Sequence, residues 1–289
     1  MYNKVRAKEF YVQGKDARHK MAYMEWGSEN KEVVICVHGL TRNSRDFDYL
    51  AQELSKTYRV ICPDIIGRGK SDWLEDHNLY NYDTYVSDMK QFLQYLNIPE
   101  INWIGTSMGG LIGIILSASD DKKVIKNMVL NDIGPFIPEK SLQRIAKYIS
   151  INPKFSSLAQ AERYIRDILS PFGIKKDEDW KYITMHSILE DSNGNIILAY
   201  DPAISKVFSQ ADALKDIDLW NLWDKVCANI LVLRGTLSDV LEQKTAEYMV
   251  KNKDSALLVE FQDIGHAPAL MSSEQISIIK NWLDSKRIL

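Results

Sequence analysis

The chain has 289 residues, 45% hydrophobic and 26% charged, which are ordinary globular proportions and enough to bury a full α/β core. Its 36 basic and 39 acidic residues leave a formal net charge of −3, so no bulk field favours nucleic acid or an anionic membrane as partner. The apolar run Leu111 to Leu116 is too short to span a bilayer, and Met1 to Glu9 carries no apolar h-region, so neither a membrane span nor a signal peptide is expected.

Taken in order, residues 8–14 and 20–26 read as an opening antiparallel hairpin around the polar turn Lys15-Asp16-Ala17-Arg18. Residues 32–37, Glu32-Val33-Val34-Ile35-Cys36-Val37, are almost continuously apolar, as a strand buried on both faces of a parallel sheet requires. The run ends in His38-Gly39-Leu40-Thr41 and is followed by helical spacing through Phe47, Leu50 and Leu54. A strand at 58–62 leads into the glycine-punctuated loop from Pro63 to Asp72, and 82–96 reads as a helix that Pro99 closes off. The short strand Ile101-Asn102-Trp103-Ile104, the turn Gly105-Thr106-Ser107-Met108-Gly109-Gly110 and a second helix come next, then a strand at 124–130.

From Pro135 to about Leu219 the strand–helix alternation stops. Amphipathic helices are expected at about 139–150, 157–169, 177–189 and 202–208, with a hairpin-like break at Asp191-Ser192-Asn193-Gly194-Asn195. Alternation resumes with strands at 229–233 and 256–261 and helices at 241–251 and about 272–285. The pattern predicts a mostly parallel α/β sheet interrupted once by a helical insertion, with a core of residues 1–134 and 220–289 and an inserted segment of 135–219. Cys36, Cys62 and Cys227 are odd in number and fit no metal spacing; they read as free thiols of a reducing compartment, the cytoplasm.

The turn at 105–110 fits G-x-S-x-G, in which a serine on a sharp strand-to-helix bend needs glycine on either side to avoid neighbouring backbone. An ordinary strand-to-helix loop can show the same pentapeptide, so the rest of the chain decides. Ligand sites of open parallel sheets form at the carboxyl ends of strands, and four such ends carry useful chemistry: His38-Gly39-Leu40, Ser107, Asp239 and His266. On His38-Gly39, Asp64 with Gly67-Arg68-Gly69-Lys70-Ser71, the turn at 105–110, Gly235 with Asp239, and Gly265-His266 with Pro268, the chain resembles capped, esterase-like members of the α/β-hydrolase fold superfamily over residues 20–285. The resemblance implies an eight-stranded, mostly parallel sheet flanked by helices, with 135–219 as a helical cap.

It also implies roles. Ser107 would be the nucleophile, His266 the base and Asp239 the acid that orients the imidazole, with Asp132, just past the preceding strand, as the alternative acid. The backbone N–H groups of Leu40 and Met108 would hold the oxyanion. His38 is expected to shape the oxyanion turn, Asp64 and Ser71 to tie down the glycine loop, and His186 to pack on the insertion or touch substrate. No metal or organic cofactor is expected. The expected partner is a small molecule with an apolar acyl or alcohol part, and the expected reaction is hydrolysis of a small or medium carboxylic ester through an acyl-enzyme. Ser107 sets aside relatives with aspartate or cysteine at this position. Carbon–carbon hydrolysis of dienoic ring-cleavage products, a haloperoxidase- or acyltransferase-like activity, and a non-catalytic binding protein on the same fold are the alternatives.

Overall fold

A computed structural model describes residues 5–14, 17–119, 123–209 and 214–287. Lys15 and Asp16 of the first turn, and Met1–Lys4 of the N-terminal reading, lie outside the described residues.

Eight strands form one sheet: β1 (Arg6–Gln13), β2 (Arg18–Trp26), β3 (Val33–Val37), β4 (Arg59–Pro63), β5 (Ile101–Thr106), β6 (Ile125–Asn131), β7 (Asn229–Gly235) and β8 (Ala256–Phe261). Their spatial order is β1-β2-β4-β3-β5-β6-β7-β8. Only the β1–β2 and β2–β4 pairings are antiparallel; every pairing from β4 through β3, β5, β6 and β7 to β8 is parallel. The eight-stranded, mostly parallel sheet is therefore present. The central strands are buried because both faces are covered: all five residues of β3 are buried, as the unbroken apolar run anticipates.

One face carries α2 (Tyr82–Leu96) and α3 (Met108–Ala118), and the other carries α1 (Asp48–Leu54) and the closing helix Ser273–Lys286. The sheet thus divides two apolar clusters, one around Ile35, Trp103, Met128 and Ile112, the other around Val34, Ile104, Leu231 and Leu283. Asn81 caps α2, its side chain accepting from the Thr84 N–H, and left-handed Asn97 ends it. On β3 and β4, Cys36 and Cys62 are buried free thiols, and burial pushes the Cys62 thiol well above its usual range; Cys227 is free and exposed.

The long connection between β6 and β7 holds α4 (Glu139–Ile149), α5 (Leu158–Ile168) and α6 (Asp177–Ser187). Two of its elements differ from expectation. The third helix stops at Ser187, because the chain that follows pairs Ile188–Glu190 with Ile196–Leu198 around the Asp191–Asn195 turn. The fourth, Pro202–Ser209, is 3₁₀ rather than α, and opens with the Asp201 carboxylate accepting from the Ala203 N–H. The connection is stitched to the glycine loop after β4: the Gly69 N–H donates to the Ala199 carbonyl at 2.9 Å and the Asp201 N–H to the Gly67 carbonyl at 2.8 Å.

Candidate active site

Ser107 sits between the end of β5 and the start of α3 with φ 50° and ψ −115°, a conformation a side chain adopts only when its surroundings enforce it. The enforcement is visible at the flanking glycines. A Cβ at Gly105 would lie 2.4 Å from the Gly110 nitrogen, and one at Gly109 would lie 2.0 Å from the Val37 carbonyl oxygen. Backbone of β3 and α3 therefore passes where any side chain would project, which is why the turn requires glycine on both sides of Thr106-Ser107-Met108. The Trp103 indole N–H donates to the Gly109 carbonyl at 3.0 Å and locks the bend from beneath.

The Ser107 hydroxyl lies 2.9 Å from Nε2 of His266, and Nδ1 of the same ring lies 2.7 Å from Oδ2 of Asp132. Of the two acids weighed for the imidazole, the structure brings Asp132 to it. Asp239 is displaced: its carboxylate takes two bonds from Arg144, at 2.6 and 2.8 Å, and is part of an exposed ion pair. The residue before it, Ser238, turns inward and donates its hydroxyl to Asp132 Oδ2 at 2.5 Å. The expectation for Asp239 is corrected on that ground.

Asp132 is fully buried, with φ 56°, and its position is overdetermined. Its N–H donates to the Leu233 carbonyl at 2.8 Å, while its Oδ1 accepts from the Gly235 N–H at 2.8 Å. Three donors thus converge on one carboxylate, from Gly235, Ser238 and His266. Buried without them it would be costly. The loop bearing His266 is tied back by Asn131, whose side-chain N–H₂ donates to the Pro268 carbonyl at 2.9 Å and to the Thr106 hydroxyl at 3.1 Å. Neither Ser238 nor Asn131 stood out in the sequence. A hydroxyl one position before the expected acid and an amide beside the alternative one were the available signals.

Leu40 and Met108 line the same cavity as Ser107 and His266. Met108 opens α3, so its N–H has no acceptor inside the helix. His38 underlies the Leu40 turn as a neutral ring: its Nε2 accepts from the Ile65 N–H at 2.9 Å and its Nδ1 donates to the Gly39 carbonyl at 2.8 Å. Burial holds its pKa down to about 3. Asp64 accepts from the Ser44 and Lys70 N–H groups at 2.7 and 2.9 Å, and the Ser71 hydroxyl donates to the Asp64 carbonyl, so the glycine loop is fastened as expected. His186 packs against the ring of Tyr182 at 4.6 Å and is not part of the cavity wall.

The cavity, of about 350 Å³, is closed by residues of the β6–β7 connection, among them Leu142, Ile145, Tyr148, Leu169, Phe172 and Val207. Most of its wall is apolar; Arg42, Arg144 and Lys215 are its basic members. Among the described residues no group of three or more His, Cys, Asp or Glu side chains could hold a metal ion, and no helix is long and apolar enough to cross a membrane.

Comparison with known proteins identifies the family of the chain and its fold. The sequence pattern of the alpha/beta hydrolase fold family matches residues 32–270. A 3-hydroxybutyrate-oligomer hydrolase of Cupriavidus necator is 38% identical over 269 residues, covering 90% of this chain and 91% of that protein. A solved structure from Rickettsia typhi superposes with a TM-score of 0.90 at 37% identity, covering 98% of this chain and 99% of that one. An alpha/beta hydrolase from Novosphingobium aromaticivorans superposes with a TM-score of 0.86 at 32% identity, covering 96% and 98%. The chain therefore belongs to the alpha/beta hydrolase fold family and is an esterase-like hydrolase.

Proposed function

We propose that the protein is a serine hydrolase cleaving small or medium carboxylic esters through an acyl-enzyme, with Ser107 as nucleophile, His266 as base and Asp132 as the acid. The observation that carries this is the continuous chain of two hydrogen bonds, 2.9 and 2.7 Å, from the Ser107 hydroxyl through His266 to Asp132. His266 takes the serine proton as Oγ attacks the ester carbonyl, and Asp132 stabilises the imidazolium that results. The Leu40 and Met108 N–H groups hold the tetrahedral oxyanion. Its collapse expels the alcohol, which leaves with the proton from His266. Water then repeats the sequence on the acyl-enzyme and releases the acid, so the steps balance with protein groups and water alone.

Residues 135–219 act in this reading as a cap over the acyl pocket, excluding bulk water from the ester. The apolar wall favours an aliphatic chain, and the relative named for 3-hydroxybutyrate oligomers points to short esters of hydroxy acids as the substrate class. The three free thiols support a reducing, cytoplasmic setting.

The test is a panel of p-nitrophenyl acyl esters of graded length, 3-hydroxybutyrate dimers and trimers, thioesters, lactones and dienoic ring-cleavage products, run on wild type and Ser107→Ala. Wild type should hydrolyse the esters and be labelled at Ser107 by a fluorophosphonate, and Ser107→Ala should lose about 10⁵-fold or more in kcat and all labelling. Unlabelled wild type with no ester turnover would overturn the proposal. A dienoate preferred over every ester would move the reading to carbon–carbon hydrolysis.

A further inference from the structure

Arg68 is the largest charged side chain wholly removed from solvent, and among the described residues it forms no ion pair. Its bonds are all to neutral groups. Nε donates to the Leu40 carbonyl at 2.8 Å, and Nη1 donates to the Ile66 carbonyl at 2.7 Å and to the Tyr85 hydroxyl at 2.9 Å. Nη2 lies 3.7 Å from the Met108 sulfur. The guanidinium carbon stands 5.0 Å from the centre of the Tyr85 ring and 5.7 Å from that of Tyr80. A buried cation without a counter-ion is costly, and carbonyls and ring faces offset only part of that cost.

Its location gives the charge a use. The two residues proposed to supply the oxyanion N–H groups, Leu40 and Met108, are both contacts of this one guanidinium, through the Leu40 carbonyl and the Met108 sulfur. A negative charge between those N–H groups forms beside a cation that has no other anion to answer, in surroundings where water cannot screen it. The bond to the Leu40 carbonyl also fixes the peptide that follows the donor.

We propose that Arg68 is the positioning residue of the oxyanion hole, orienting the Leu40 turn and supplying the uncompensated charge that the transition state satisfies. The proposal rests on the catalytic reading of Ser107 above. Arg68 does not reach the cavity itself, so its influence passes through Leu40 and Met108 and should bear on the transition state rather than on ester binding.

The test compares Arg68→Gln and Arg68→Lys with wild type, counting competent sites by fluorophosphonate titration and checking folding by circular dichroism. For each, kcat and KM on a p-nitrophenyl ester are measured. So is inhibition by an alkylboronic acid, which forms a tetrahedral anion on serine, and by a chain-matched methyl ketone, which is neutral. Arg68→Gln should lower kcat per titrated site about 10–100-fold and weaken the boronate by a similar factor, with KM and ketone inhibition within about twofold. Arg68→Lys should recover part of the loss. If Arg68→Gln does not fold, Arg68→Lys decides alone, since it keeps the charge but loses the Nε bond to the Leu40 carbonyl. Unchanged kcat per site in the folded variants, or equal weakening of boronate and ketone, would overturn the proposal. A wild type that neither labels at Ser107 nor turns over esters would sink the catalytic reading instead.

Discussion

The sheet and the β6–β7 connection hold the residues of the site by different means. Ser107 and Asp132 stand at strand ends with positive φ, fixed by backbone bonds and by glycines pressed against neighbouring chain. Leu142 and Ile145 are side chains on the amphipathic helix α4, held in the wall by packing. The first kind of support fixes atoms closely enough for proton transfer. The second fixes a shape, and a shape tolerates substitution of one apolar group by another. On the proposed reading, chemistry is sited where the backbone leaves no choice, and selection where it does.

The sharpest way to break that comparison is at the acid. Asp132→Asn should lower kcat by about 10⁴-fold, as loss of the imidazole's acceptor does in other serine hydrolases, whereas Asp239→Asn should stay within about twofold of wild type. The reverse result, read from steady-state kinetics on a chromogenic ester, would return the acid to Asp239. Next in size is a pair of glycines. Gly109→Ala drives a Cβ to 2.0 Å of the Val37 carbonyl and should cost about 3 kcal/mol in urea denaturation. In the connection, Gly194→Ala meets nothing nearer than 3.7 Å and should lose only about 1 kcal/mol, for its φ of 78°.

A smaller effect tests the sheet side through pH. His38 titrates near 3 when folded and near 6.5 when unfolded, so between those values the unfolded chain binds more protons and stability falls with acidification. Wild type should therefore lose up to about 1.4 kcal/mol per pH unit relative to His38→Asn as pH drops from 6.5 toward 3. Burial raises the Asp64 carboxyl and works in the opposite direction, but it is common to both proteins and cancels in the difference. A constant gap between the two proteins would show that His38 is not held neutral. Least disruptive should be Leu142→Ala, which widens the cavity wall. We expect KM to rise about fivefold for short acyl chains with kcat nearly kept, and the preferred chain to lengthen, as measured across the graded ester series.

Much of this architecture was legible in the chain. Unbroken apolar runs such as Val33–Val37 require a sheet covered on both faces, and α2 spans the Tyr82–Leu96 stretch that reads as a helix before Pro99. The serine turn was legible because its glycines answer to local sterics. The acid was not. Asp132 stands before Gly134 and looks like a turn residue, and its bond to His266 depends on the approach of a loop 134 positions away. Asp239 was favoured for its place after Gly235, yet the chain turns one residue earlier and presents the Ser238 hydroxyl instead. Arg68 was read as part of a glycine loop, since nothing local tells a buried guanidinium from an exposed one. Failures of this kind fall where distant segments meet, because pattern carries local sterics and periodicity but not which side chain arrives from across the fold.

The buried thiols have a practical consequence. Cys36 and Cys62 sit on adjacent central strands, whereas Cys227 is open to solvent. A small alkylating reagent should consume Cys227 at once and then wait on the other two until the sheet itself parts. Mass spectrometry of that second, slow uptake would time the rare openings of the molecule, with Cys227 serving as the built-in zero of the clock.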